Sequence, residues 1–316
     1  MSECAYSRKQ LHTIIQNLSD SSFPKKQIQA CGSAGLFHPD TTLSPTDVLH
    51  IASLSIPTAF VLSQYRGAAE RIATWSKNKA LRTKVFSGSA FATLGISQLS
   101  TSHQHTSPTL IAQKKSKGWH LKGFAPWVTG ARYAQYFVLG AIWNDKKALF
   151  CVHREHVHIY DAPHLVALNQ SDTTQVRIDA IVEENSLLHI FGDEAATQTG
   201  SLRSIAIAMG ITQQSINLLS KQAKHRPLIN ETISKLNKEH QQNSAALLHP
   251  TVDRIALRIR VNNLALKSAQ QALVACKGKG FLIGEKAGEL CTQALFFLVW
   301  SCPESVQHAL LDIGTS

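Results

Sequence analysis

The 316-residue sequence has no apolar run long enough to cross a bilayer as a helix, which takes about 18 residues or more. Its longest candidate, residues 294–300, reads as a buried core segment. The opening MSECAYSRKQ lacks the apolar stretch of a secretory leader, so a cytoplasmic location is the expectation. No two cysteines stand in Cys-x-x-Cys spacing. Cys4, Cys31, Cys151, Cys276, Cys291 and Cys302 are scattered, which argues against a zinc site or a disulfide framework and for reduced thiols, several of them buried. Gly-x-Ser-x-Gly and nucleotide phosphate-loop motifs are missing too.

What is present is ordinary in bulk and uneven in charge. Hydrophobic residues make up 44% and charged ones 17%, the balance of a globular protein with room for two or three domain-sized units. The formal charge of +11 implies an anionic partner such as a phosphorylated cofactor, coenzyme A or an acidic carrier protein. Basic residues are spread along the chain and no nucleic-acid motif is visible, so nucleic acid ranks below a phosphate-bearing small molecule.

The periodicity changes twice. Between residues 10 and 82, apolar residues recur three and four apart, with Pro45 setting the entry of one helix and Thr46 available to cap it. From Phe86 to about Leu188 the runs become short and alternating or continuous, as in FATLGIS, YFVLGAIW, ALFCVH and VRIDAIV, which are strand patterns. Long helical patterns return from Ser201. The order is helices, strands, helices. Ile205, Ile207, Met209, Ile211, Leu257, Ile259 and Val261 leave the later helices apolar on more than one face, which predicts burial on several sides.

Residues 118–142, GWHLKGFAPWVTGARYAQYFVLGAI, set Trp127-Val128-Thr129 between two strand-like runs. With QACGSAGLFHP at 29–39 and LVALNQSDTTQVRIDAIVEENSLL at 165–188, this order resembles the acyl-CoA dehydrogenase superfamily over nearly the whole chain. The resemblance implies an α+β fold with an N-terminal helical domain (1–88), a middle β-barrel domain (89–190) and a C-terminal helix bundle (191–316). It implies a flavoprotein using FAD, with FMN possible, and an acyl thioester or another small molecule as substrate. It implies a homodimer or homotetramer whose subunit pairing covers the surplus apolar faces, with no nucleic acid and no membrane.

The same resemblance assigns cofactor contacts residue by residue. Ser97 and Gln98 match the Thr-Glu of the loop beside the flavin ring; Trp127 and Thr129 match the Trp and Thr of the Trp-(Ile/Val)-Thr that packs on it. Arg226 matches the arginine that approaches the pyrophosphate, and Gly278, with Gly280, matches the glycine turn near the phosphates. Read without it, Trp127 is a strand aromatic, Arg226 a residue favoured at the negative end of a helix dipole, and Gly278 a C-cap.

The catalytic carboxylate is the departure. Ser301 falls where the superfamily's Glu belongs, Thr292 on the arginine of its Arg-Asp-Ala phrase, and Pro303 on the turn threonine. The alternative Glu position of some branches falls near Gly200. Glu304, three residues after Ser301, is either a displaced base or the cap of a final helix. Oxidation of an acyl thioester needs a base far more acidic in its conjugate form than serine, so ordinary α,β-dehydrogenation is not expected. The alternatives are a monooxygenase-like reaction and a noncatalytic homologue that serves as a binding subunit. His103 and His105 lie in a loop near the expected flavin edge. Of His153, His156 and His158, strand geometry lets only the last two share a face, too few for a metal site.

Overall fold

The computed structural model describes residues 13–14, 23–101, 109–192, 201–249, 251–301 and 304–311. Helices α1 (Lys25–Ser33), α2 (Pro45–Leu54), α3 (Ile56–Trp75) and α4 (Lys79–Phe86) come first. Strand β1 (Ala92–Gly95) and the short α5 (Gln98–Thr101) follow. Then come β2 (Leu110–Lys115), β3 (Gly118–Val128), β4 (Tyr136–Trp143), β5 (Lys146–His153), β6 (Val157–Ile159), β7 (Thr174–Val182) and β8 (Leu187–Ile190). Helices α6 (Leu202–Ala223), α7 (Ile229–Leu247), α8 (Arg254–Cys276), α9 (Lys286–Val299) and α10 (Glu304–Leu311) complete the α+β order.

Two compact units result. The β-rich unit comprises Met1–Thr42, Phe60–His164 and Asn169–Ala196; the helical unit comprises Leu43–Ala59, Leu165–Leu168 and Thr197–Ser316. Helix α2 therefore belongs with the C-terminal helices and not with an N-terminal domain ending at residue 88. Gly210 on α6 explains why: a Cβ there would lie 2.4 Å from the Ala52 Cβ, so only glycine lets the two helices approach this closely. Gln214 Nε2 then donates to the Ala52 carbonyl at 2.5 Å.

The start of α2 differs from the expected cap. Ser44, extended at φ −70° and ψ 157°, is the N-cap; its Oγ accepts from Asp47 N at 3.2 Å, and the Asp47 carboxylate accepts from Ser44 N at 3.0 Å. Pro45, with φ already fixed, occupies the first helical position, which places Thr46 inside the first turn.

In the β-rich unit the strands lie in the order β6-β7-β3-β2-β4-β5-β8, with β1 parallel to β4. No ladder joins β6 to β8 among the described residues. The core forms from inward residues at period two: Trp119, Leu121 and Ala125 of β3, Phe137, Leu139 and Ala141 of β4, Ala148, Phe150 and Val152 of β5, and Val176 and Ile178 of β7. Burial pushes the thiols of Cys31 and Cys151 up to about 12, leaving them protonated and unreactive at neutral pH.

Within the helical unit, Ile205, Ile207, Met209 and Ile211 are all buried in the chain itself, as are Leu257 and Val261. Helix α2 packs on α6 at Gly210, and α6 also packs on α8, so these residues do not need a second subunit to cover them. The apolar residues left bare lie elsewhere and include Leu228, Leu248, Val274, Phe281, Leu282, Ile283, Leu295, Val299 and Leu311. Among the described residues, no helix is long and apolar enough to cross a membrane.

Candidate functional site

Along β3 the inward residues alternate through Trp119, Leu121 and Ala125, and continued alternation would bury Trp127. It does not continue. Ala125 pairs with Val176 and Val128 with Thr174, three residues of β3 against two of β7, so one extra residue bulges from the strand. Val128 is fully buried in consequence, and Trp127 turns outward to 56% exposure.

The turn that follows is held firmly. Thr129 is buried, its Oγ1 lies 3.1 Å from Thr173 Oγ1, and its carbonyl accepts from Thr93 Oγ1 at 2.6 Å. Ser171 Oγ is 2.8 Å from Thr173 Oγ1, and Gly130 N donates to the carbonyls of Ser171 and Asp172. Arg132 Nε donates to the buried Asp172 carboxylate at 2.6 Å, and that hydrogen bond raises the guanidinium pKa. Segment 171–173 thus clamps the end of β3. The Thr129 hydroxyl is turned into this cluster.

Ser97 is half-buried at the entry of α5. Gln98 is buried and its Nε2 donates to the carbonyls of Gly95 at 3.0 Å and Gly140 at 2.7 Å, so its amide hydrogens are committed inside the unit. His103 and His105 lie outside the described residues.

In the helical unit, two candidates far apart in sequence come together. Arg226 Nη2 donates to Gln222 Oε1 at 2.9 Å and to the carbonyl of Ala275, in the last turn of α8, three residues before Gly278. The arginine therefore satisfies a C-terminal carbonyl of α8 instead of acting on its own helix alone. Gly278 is exposed, and a Cβ on it would meet nothing within 4 Å. The left-handed residue of this turn is Lys277, at φ 55°, so Gly278 does not serve as the positive-φ cap. Lys277, Gly278 and Lys279 form an exposed basic turn, with Lys279 Nζ 3.3 Å from Glu285.

Ser301 is exposed at φ 49°, just beyond α9. Its position depends on a residue that sequence patterns do not single out. Arg258 is 1% exposed; it donates to Phe297 O at 2.8 Å, Trp300 O at 3.0 Å and Ser204 Oγ. Asn262 Nδ2 adds a bond to Phe297 O at 3.2 Å. The signal was available: Arg258, Asn262, Ala265 and Ala269 share one buried helical face, and a cation on such a face needs acceptors. Glu304 opens α10, but its side chain lies outside those described.

The histidines pair differently from the strand expectation. Arg154–His156 forms a 3-10 turn that ends β5, so His153 Nδ1 and His156 Nε2 approach the two oxygens of Glu155 at 3.4 and 3.5 Å. His158 instead meets the Tyr160 ring edge-on at 4.7 Å. Among the described residues, no three His, Cys, Asp or Glu side chains could hold a metal ion.

No protein-family model and no curated protein matches the sequence. Solved structures do match at the level of fold. Butyryl-CoA dehydrogenase from Megasphaera elsdenii is similar over 98% of this chain and 99% of its own, with a TM-score of 0.80 and 13% identity. A glutaryl-CoA dehydrogenase in complex with glutaryl-CoA is similar over 98% and 93%, with a TM-score of 0.79 and 16% identity. KijD3, solved with FMN and a dTDP-linked sugar, is similar over 98% and 92%, with a TM-score of 0.71 and 16% identity. The chain has the acyl-CoA dehydrogenase fold.

Proposed function

We propose that the chain is a flavin-dependent oxidoreductase of the acyl-CoA dehydrogenase type whose reaction is not ordinary α,β-dehydrogenation. The observation that carries this reading is Trp127. A bulge turns a large aromatic out of a core-facing register, and the clamped turn after it holds the strand end in place. A planar ring stacked there would remove apolar surface from water. The helical unit, taken by itself, has an open backbone at Gly278 beside the cations of Arg226 and Lys277, which suits a phosphate group. FAD is the expected cofactor, with FMN possible, in keeping with the FMN bound to KijD3. When bound, the flavin supplies a two-electron acceptor or, in its reduced state, a centre that activates oxygen.

The remaining roles belong to this chain's own residues. Ser301, on the turn fixed by Arg258, has a hydroxyl that can donate a hydrogen bond to a substrate oxygen but is too weak an acid to serve as the resting base. Glu304 is the nearest carboxylate in sequence and is the candidate for any proton transfer there. The substrate is an acyl thioester or another small molecule. The fully exposed Ile283, with exposed Phe281 and Leu282, supports a homodimer or homotetramer, and light scattering that reports a monomer would remove that element.

A second reading, a noncatalytic homologue acting as a binding subunit, is favoured by the inward commitment of Gln98 and the Thr129 hydroxyl. Visible absorbance of the purified chain, before and after excess FAD or FMN and removal of unbound cofactor, separates the two. We expect a retained flavin band, with Trp127→Ala weakening affinity about tenfold, as loss of an aromatic stack does. A chain that ignores both flavins would refute the enzyme reading. Reduction by acyl thioesters set against oxygen uptake then divides the possible reactions.

A further inference from the structure

Helices α7 and α8 enclose a groove of about 340 Å³ that the function proposed above does not use. The helices run antiparallel, with Lys267 Nζ meeting Glu239 Oε1 at 2.7 Å towards one end. Leu264, buried in the core, forms part of the lining. Arg260, Asn263 and Lys267 recur three and four residues apart and line the same side.

The polar groups of this groove are unequally satisfied. The carboxylate of Glu239 is engaged by Lys267. Arg260 is exposed and has no acidic partner among the described residues. Asn243 is mostly buried, at 6% exposure, and lines the groove; no side-chain hydrogen bond among the described residues holds its amide, whose polar atoms stay open to solvent. An amide that no protein group holds is open to donate to whatever occupies the space it faces. Its open side is the groove. Asn263 and Gln242 add further amides to the lining, again without side-chain partners among the described residues.

We propose that this groove binds a small oxyanion, a carboxylate or a phosphate group, with Arg260 as the fork and the amides of Asn243 and Asn263 as directional donors. A guanidinium presents parallel N–H groups that match two oxygens of such an anion, and an amide N–H fixes a third direction. The volume lies at the lower end of the range for small-molecule sites, about 300 to 1,000 Å³, so the ligand is compact.

Isothermal titration of the full chain with inorganic phosphate and, separately, with succinate tests this at constant ionic strength set with chloride. The expected result is one saturable site per chain for at least one of the two, weakened on the order of tenfold or more in Arg260→Ala. Phosphate alone identifies a phosphoryl ligand, and succinate alone a carboxylate. Arg260→Lys keeps the charge without the fork and should recover only part of the affinity. Asn243→Leu conserves volume and should weaken binding while leaving the urea midpoint within reach of the parent. No saturable binding of either anion, or equal binding by the parent and Arg260→Ala, overturns the proposal. So does a change of oligomer size in Arg260→Glu without any anion binding by the parent, which would make the groove an interface between copies.

Discussion

Replacing Arg258 with Met would test the claim that a buried cation sets the turn at Ser301. The side chain is 1% exposed and has three acceptors: Phe297 O, Trp300 O and Ser204 Oγ. Methionine approximates the length of the side chain, so the change removes charge and donors with little cavity. Phe297 O keeps its bond from Asn262, leaving Trp300 O and Ser204 Oγ to lose theirs. Hydrogen bonds to charged groups contribute about 1.5 to 3 kcal/mol each, and desolvation of the guanidinium offsets part of that sum. We expect a net loss of about 2 to 4 kcal/mol, read from urea unfolding by circular dichroism. Amide hydrogen exchange should show the loss centred on the end of α9, where Trp300 O loses its bond from Arg258, before it reaches the β-rich unit. Arg258→Lys should be destabilising as well, since one ammonium cannot reproduce the fork. If Arg258→Met unfolds within about 1 kcal/mol of the parent, the three bonds are not what fixes this turn.

His240 gives a pH test. It is buried with Nδ1 unpartnered among the described residues, and burial lowers its pKa. A histidine with a depressed folded-state pKa contributes its full stability above the unfolded value of about 6.5 and loses it as pH falls below that value. The slope is at most about 1.4 kcal/mol per pH unit. Urea midpoints at falling pH should therefore decline less steeply in His240→Leu than in the parent; parallel slopes would remove the assignment. Ser44→Ala breaks the reciprocal cap of α2 and should cost about 1 kcal/mol, checked by the same unfolding measurement. Gly210→Val drives a side chain against Ala52 and should cost about 1 to 3 kcal/mol or more, with the α2 amides losing exchange protection first; a neutral result would contradict the close helix approach.

Hydrophobic period was enough to read the helix, strand, helix order, because an exposed or buried face repeats at 3.6 or 2 residues wherever the chain is regular. The continuous run of β4 and the long pattern of α6 follow from this alone; that Ser301 stands where a carboxylate would be expected was legible only through the resemblance to the acyl-CoA dehydrogenase superfamily. Other features depend on pairings between distant segments. Period two continued past Ala125 would bury Trp127, and only the register against β7 inserts the bulge that exposes it. The helix containing Ala52 was legible, but its place beside Gly210 was not, since contact between residues about 160 apart leaves no local trace. The multi-sided α6 correctly signalled burial, yet α2 and α8 supply the cover within one chain. Arg258, Arg226 and Asn243 are polar residues whose meaning lies in carbonyls, helices and a groove brought to them by packing. Local propensity and composition determined which segments became helix or strand; tertiary structure decided which side chains were bare, clamped or left without a partner, because hydrogen-bond satisfaction is a property of the assembled chain and not of any segment.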